Sequence, residues 1–150
     1  MKISEILLTP VEATDAFDGG YILSVCRDGD VVSGYVCCDE NENEHFVPAK
    51  KMKFDGGCAK AAATGKTKKK NTFVRLGYPL YADNGKYLGR IDDFTVRGGK
   101  LVTAFAGNKR YPCSRLAFGD VAILKNDRAE AESAAKNMFI GAMLSTAPEV

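Results

Sequence analysis

Side chains that could do chemistry are concentrated in one short basic segment of this 150-residue chain. Lys66, Lys68, Lys69, Lys70 and Arg75 place five cations within ten residues. Such a cluster can neutralise phosphates, and it can equally stay hydrated as a linker because like charges repel one another. The segment therefore predicts either a solvated linker or an electrostatic site for RNA or an acidic protein.

The same segment contains a partial phosphate-binding motif. Thr64-Gly65-Lys66-Thr67 matches the end of a phosphate-binding loop, which also needs a glycine at position 60, a strand before it and a helix after it. Position 60 is Lys60, and the basic run leads towards a strand. We therefore predict no nucleotide cofactor.

An acidic turn follows the strand that ends near Cys38. Asp39, Asn41 and Asn43 match the alternating ligands of a calcium loop, but Glu44 stands where that loop needs glycine and Lys50 where it needs glutamate. We predict a solvated hairpin tip and no metal site.

Neither the thiols nor the histidine form a recognisable catalytic or zinc-binding pattern. His45 is the only histidine, and no Cys-x-x-Cys pair occurs among the five cysteines, which are Cys26, Cys37, Cys38, Cys58 and Cys113. A structural zinc site needs about four such ligands. These observations predict free thiols, no cofactor and a protein that is not an enzyme.

The elements that position these residues are short strands separated by turn signals. Ile3 to Leu8 predicts a first strand, Asp28-Gly29 a hairpin, and Leu101 to Ala106 a strand with period-2 alternation. About five strands in each half, without helices between them, predict an all-β protein of barrels or sandwiches.

The two halves repeat one another. The stretch from Pro10 to Phe54 is echoed from Pro79 to Phe118, and the pairs Pro48/Pro112, Met52/Leu116 and Phe54/Phe118 share one offset of 64 residues. A repeat of this length indicates a duplicated small β unit.

The second half resembles a known family. Residues 77–93 read Gly-Tyr-Pro-Leu-Tyr-Ala-Asp-Asn-Gly-Lys-Tyr-Leu-Gly-Arg-Ile-Asp-Asp, and a glycine turn, an apolar strand, Tyr111-Pro112 and Gly119-Asp120-Val121 follow. Residues 73–125 thereby resemble the PRC-barrel domain, and residues 3–54 resemble it more distantly. The family includes the cytoplasmic domain of the photosynthetic reaction-centre H subunit and a domain of a bacterial ribosome-maturation factor. The resemblance implies two tandem small β-barrels that dock onto larger complexes.

The predicted organisation has four parts. A degenerate PRC-barrel-like unit covers 1–57, a basic linker 58–72, a second PRC-barrel-like unit 73–126, and a helix with its tail 127–150. In the last part, apolar residues recur at helical spacing. Met138, Phe139, Met143 and Leu144 would either pack on the chain's own barrels or form a docking surface for a partner.

Charge is distributed unevenly, although the net charge is only +2. Residues 1–49 carry −8, residues 50–75 carry +8 and residues 76–150 carry +2. The segment 50–75 is thus where electrostatic binding would occur. The first functional hypothesis is a noncatalytic adaptor that binds another protein or complex, and the alternative is an RNA- or ribosome-associated factor that uses residues 50–75.

No signal peptide or apolar run long enough to span a membrane is evident in the sequence, which predicts a cytoplasmic protein without membrane insertion. Homo-oligomerisation is compatible with every feature of the sequence and stays open.

Overall fold

The computed structural model describes residues 1–66 and 72–125, and strands dominate them. This confirms the all-β class. Contacts divide the chain into unit 1, which comprises Met1–Val74 and Val96–Leu101, and unit 2, which comprises Arg75–Thr95 and Val102–Val150. Lys68, Lys69, Lys70 and the predicted helix at 127–150 lie outside the described residues.

Unit 1 begins with a short helix and continues as strands. The elements are α1 (Ile3–Ile6), β1 (Pro10–Glu12), β2 (Gly20–Asp28), β3 (Val31–Asp39), β4 (Glu44–Pro48), a 3-10 turn (Ala49–Lys51), β5 (Met52–Asp55), β6 (Cys58–Ala61) and β7 (Thr72–Phe73). The strands pair in the order β4-β3-β2-β1-β6-β5, and β7 adds to β2. All these pairs are antiparallel except β1 with β6, which is parallel.

Unit 2 has the corresponding elements. They are β8 (Pro79–Ala82), β9 (Tyr87–Arg97), β10 (Lys100–Ala106), β11 (Lys109–Pro112), a 3-10 turn (Cys113–Arg115), β12 (Leu116–Phe118) and β13 (Ala122–Leu124). The order of pairing is β11-β10-β9-β8-β13-β12, and β8 with β13 is the parallel pair. Four residues of β9 and β10, Val96, Arg97, Lys100 and Leu101, count with unit 1.

Both units therefore use one scheme of strand pairing. Pro48 and Pro112, which the sequence pairs at an offset of 64 residues, each end a strand and precede a 3-10 turn. In each unit an antiparallel pair follows this turn, β5 with β6 in unit 1 and β12 with β13 in unit 2. The second strand of each pair lies parallel to the first strand of its unit, β6 to β1 and β13 to β8.

The predicted linker 58–72 differs from the structure at its start. Cys58–Ala61 forms strand β6, which lies between β1 and β5 and buries Ala59 and Ala61. Two of the alanines in this segment are thus small side chains at buried strand positions. The division between the units falls after Val74.

The predicted strand at 3–8 is wrong, because Ile3–Ile6 is a helical turn. Ile3 and Ile6 are both buried, as positions three apart on a helix can be. The Glu5 carboxylate accepts a hydrogen bond from the Lys2 backbone N–H at 2.9 Å, which satisfies one donor at the start of the turn. This local hydrogen bond thus favours a helical turn, whereas the apolar run alone had predicted a strand.

The buried side chains come mainly from the strand faces. In unit 1 they include Ile22, Val25 and Val47, each with no exposed surface, and in unit 2 they include Leu80, Ile91, Phe94, Leu116 and Ile123. Within the described ranges, no helix has the length and apolar character needed to cross a membrane.

Candidate ligand groove

A partly open groove of about 680 Å³ lies in unit 1. Its volume is within the roughly 300–1,000 Å³ typical of ligand sites. We call it the lysine groove, and its lining residues are Asp28, Val32, Ser33, Phe46, Pro48, Ala49, Lys50, Gly65, Lys66, Gly98 and Gly99.

The floor of the lysine groove is apolar, and its aromatic ring, Phe46, packs in a defined position. Gly34 lies opposite Pro48 in the β3–β4 pair. A Cβ atom added to Gly34 would lie 2.5 Å from Cζ of Phe46, so the Phe46 ring packs directly against the glycine backbone. Val32, two residues before Gly34 on β3, is also buried and is part of the groove lining. The absence of a side chain at position 34 therefore creates the place that Phe46 occupies.

Lys66 is held next to strand β4 by its neighbour. The Gly65 N–H donates a hydrogen bond to the Phe46 carbonyl at 2.8 Å, and the two residues form an isolated antiparallel bridge. Gly65 also lies close to the Pro48 ring. Lys66, the first cation of the basic run, therefore has a fixed attachment to the strand that carries Phe46.

Lys50 reaches the groove from the 3-10 turn after β4. Both Lys50 and Lys66 are exposed, and neither has an ion-pair partner among residues 1–66 and 72–125. Lys60 differs, because its Nζ lies 3.3 Å from a Glu12 carboxylate oxygen. The two groove lysines therefore present unneutralised charge to solvent, whereas Lys60 is paired within the unit.

The turn between β9 and β10 supplies another part of the lining. Gly98 and Gly99 have φ angles of 58° and 74°, which suit glycine in a tight hairpin. The Gly99 carbonyl accepts a hydrogen bond from the Val32 N–H at 2.9 Å, and the Leu101 N–H donates to the Asp30 carbonyl at 2.7 Å. These bonds fix the turn to the start of β3 within unit 1.

Ser33 contributes a polar atom to this lining. Its Oγ is buried and has no hydrogen-bond partner in the part of the chain that the structure describes. Buried hydroxyl groups are ordinarily hydrogen-bonded, so this enclosed oxygen would gain a partner only if its neighbours move to admit a water or a ligand group.

The acidic turn is organised by Asp39 and His45. The side chain of Asp39 is only 4% exposed, and its Oδ2 lies 2.8 Å from His45 Nε2. Its Oδ1 accepts hydrogen bonds from the backbone N–H groups of Asn41 and Asn43, each at 2.9 Å. The hydrogen bond with His45, followed by those with the backbone, lowers the pKa of Asp39. Residues 40–44 are exposed, as predicted for a solvated hairpin tip, whereas Asp39 belongs to the framework of the hairpin.

Burial keeps the neighbouring thiols protonated. Desolvation raises the pKa of the Cys37 thiol to about 12, and it also raises the pKa of Cys26. Because the thiolate is the reactive form, both cysteines are poor nucleophiles near neutral pH. Over the described ranges, no three His, Cys, Asp or Glu side chains are grouped so as to hold a metal ion.

The predicted binding residues do not all come together. Lys66 lines the groove, and it is joined there by Lys50 from the wider basic segment. Arg75 belongs to unit 2, where its guanidinium lies 4.7 Å from the centre of the Tyr78 ring. Lys68, Lys69 and Lys70 fall outside the described residues, as do Met138, Phe139, Met143 and Leu144.

Sequence reasoning missed Phe46 as a companion of the lysines. Residues 55–72 contain no aromatic side chain, and this suggested that the basic segment had none available. The missing signal was Pro48 followed by Lys50, which places a lysine just beyond the strand that carries Phe46.

Comparison with known proteins provides no independent assignment. No protein-family model matches this chain, and no curated protein is significantly similar to it in sequence.

Proposed function

We propose that this protein is a noncatalytic adaptor, built from two tandem PRC-barrel-like units, that binds a segment of a partner protein in the lysine groove. The observation that carries the proposal is the combination of an apolar floor at Val32, Phe46 and Pro48 with exposed cations at Lys50 and Lys66. Protein interfaces commonly combine an apolar centre with a polar rim.

The packing of Phe46 against Gly34 suits binding because it holds the ring in place. Gly34 and the β3–β4 pairing hold the floor before any partner arrives. A partner therefore loses less binding free energy to ordering of the site. The repeated pairing scheme of the two units supports the PRC-barrel-like architecture from which the adaptor role follows.

The titratable groups near the acidic turn are better suited to stability than to catalysis. Both oxygens of Asp39 are engaged, one with His45 and the other with backbone N–H groups. The thiol of Cys37 is protonated at neutral pH. These contacts support a structural role for Asp39, Cys37 and His45.

RNA binding is the second candidate function. It is favoured by the presence of Phe46 and two lysines in one lining, because nucleic-acid bases stack on aromatic rings while lysines contact phosphates. The presence of Asp28 in the same lining opposes it, since a carboxylate repels phosphate.

A peptide-display selection on the immobilised full chain tests the adaptor proposal. We expect selected peptides to shift the amide resonances of Val32, Phe46 and Gly65, and Phe46→Ala to weaken their binding at least about tenfold, which is about 1.4 kcal/mol. Leu23→Ala is the control, because Leu23 is an exposed apolar residue of unit 1 outside the groove. Peptides that bind both variants and the parent chain equally would contradict the proposal.

A further inference from the structure

We infer that the segment held in the lysine groove is extended and acidic and also carries apolar side chains. This inference rests on the proposed adaptor function and specifies the chemistry of its partner. It depends on the placement of Lys50 and Lys66, which have no ion-pair partner in the described ranges, beside an apolar floor.

Charge defines the first requirement. Lys50 and Lys66 line the groove without an ion-pair partner among the described residues, and both are attached to β4, one through the 3-10 turn and one through the Gly65–Phe46 bridge. A carboxylate near either lysine gains a charge-assisted hydrogen bond without displacing an internal partner. Asp28 is one acidic group against two lysines, so the lining favours a negative ligand.

The floor defines the second requirement. Phe46 rests on the backbone of Gly34, and Pro48 continues the same apolar surface along β4. An aliphatic side chain that covers this surface removes apolar area from water, which favours binding. A purely polar acidic segment would leave this surface exposed, so the ligand needs both kinds of side chain.

The polar atom at Ser33 defines the third requirement. Its buried Oγ lacks a hydrogen-bond partner among the described residues. An extended peptide exposes backbone N–H and C=O groups along its length, and either can pair with this enclosed hydroxyl once the neighbouring side chains move to admit it. Alternating leucine and glutamate in an extended chain would place the two side-chain types on opposite faces, so a short flexible peptide of mixed order is the better probe.

The experiment compares two synthetic peptides rich in leucine that differ only in carrying glutamate or glutamine. Binding to the full chain is followed by calorimetry and by the amide resonances of Val32, Phe46 and Gly65. We expect the glutamate peptide to bind at least about tenfold tighter, with an affinity that falls as salt rises. The double variant Lys50→Glu with Lys66→Glu should remove this preference.

Lys51→Glu is the matched control for charge. Lys51 is exposed and adjacent to Lys50, but it does not line the groove. It should retain most of the preference for glutamate. Circular dichroism on all variants checks that these surface changes leave the fold intact.

The possible outcomes distinguish failure of the acidic specificity from failure of the adaptor function. Equal binding of both peptides in the groove would overturn the acidic specificity while supporting the adaptor function. If neither peptide, nor any display-selected peptide, shifts the groove resonances, both proposals fail. Polyuridylate that shifts the same resonances more strongly than the glutamate peptide would overturn both in favour of nucleic-acid binding.

Discussion

Asp39 illustrates how one side chain organises a turn. Its carboxylate is almost fully buried and bonds His45 through one oxygen and two backbone N–H groups through the other. Glu42 adopts a left-handed backbone conformation within the same turn, with φ of 64°. The hydrogen bonds of Asp39 help to hold the chain in this conformation, which non-glycine residues seldom adopt.

Replacing Asp39 should change how stability depends on pH. The pKa of Asp39 is lowered below its ordinary value of 3.8, so its ionised form stabilises the folded state at neutral pH. That stabilisation is complete above the unfolded-state pKa and is lost as the pH falls through the lower folded-state pKa. We expect Asp39→Asn to be less stable than the parent at pH 7 and the difference to shrink below about pH 4.

Urea unfolding at a series of pH values measures this difference. Asp18→Asn is the control because the Asp18 side chain is exposed. A constant difference between Asp39→Asn and the parent from pH 7 to pH 3 would refute the assigned role of the charge.

At the scale of elements, strand β6 decides the character of the segment after Asp55. It has a hydrogen-bonded neighbour on each side, β1 in parallel and β5 in antiparallel orientation. Its counterpart β13 occupies the same place beside β8 and β12 in unit 2. The segment that begins at Cys58 is therefore part of unit 1, and residues beyond it attach to β4 at Gly65.

A proline substitution of Lys60 tests whether Cys58–Ala61 is an inner strand or a linker. Lys60→Pro should lower the free energy of unfolding by about 1–3 kcal/mol, because proline cannot donate to a strand ladder and leaves the partner carbonyl unpaired. Lys60→Ala removes only the exposed pair with Glu12 and should cost about 0–1 kcal/mol. Chemical denaturation compares the two variants. If proline and alanine have equal effects, Cys58–Ala61 does not act as an inner strand.

At the scale of the whole molecule, unit 1 is discontinuous in sequence. It contains Met1–Val74 together with Val96–Leu101. The later piece contributes bonds to unit 1, including Gly99 to Val32, Leu101 to Asp30 and Val96 to Met1. Unit 1 therefore depends on residues that follow the start of unit 2.

A fragment of residues 1–74 should consequently be less stable than unit 1 in the full chain. Each lost backbone hydrogen bond contributes about 1 kcal/mol, and folded proteins have only about 5–15 kcal/mol in total. Thermal unfolding followed by circular dichroism and amide spectra measures the loss. Adding residues 75–125 in trans, which carry Val96–Leu101, should restore part of the stability. A fragment that melts at the same temperature as the full chain would exclude this dependence.

Several elements were predictable because their signals are local. A turn lies between β2 and β3 where the Asp-Gly sequence predicted a hairpin, although it comprises Gly29 and Asp30, because Asp28 ends β2. The alternating stretch Leu101–Ala106 belongs to β10. Turn residues and side-chain alternation act over a few positions, so they can be read without knowing what packs against them. The helical turn at Ile3–Ile6 was missed because a short apolar run fits either type of element.

The repeat contained information on the strand β6 that the local signals did not provide. At the offset of 64 residues that joins Pro48 to Pro112, strand β13 (Ala122–Leu124) corresponds to residues 58–60, which belong to β6. The alanine-rich composition of this stretch concealed that correspondence. The sequence by itself thus determined the β class, the turns and the repeated spacing, since these follow from residue type and chain order.

Only the tertiary structure decided which residues share the lysine groove. Phe46, Lys66 and the Gly98–Gly99 turn are far apart in sequence, and they meet through strand register and single backbone hydrogen bonds. Register depends on pairing between distant segments and on the room left by Gly34. Residue composition cannot specify such long-range pairing, because any one-residue shift would present the opposite side chains to the groove.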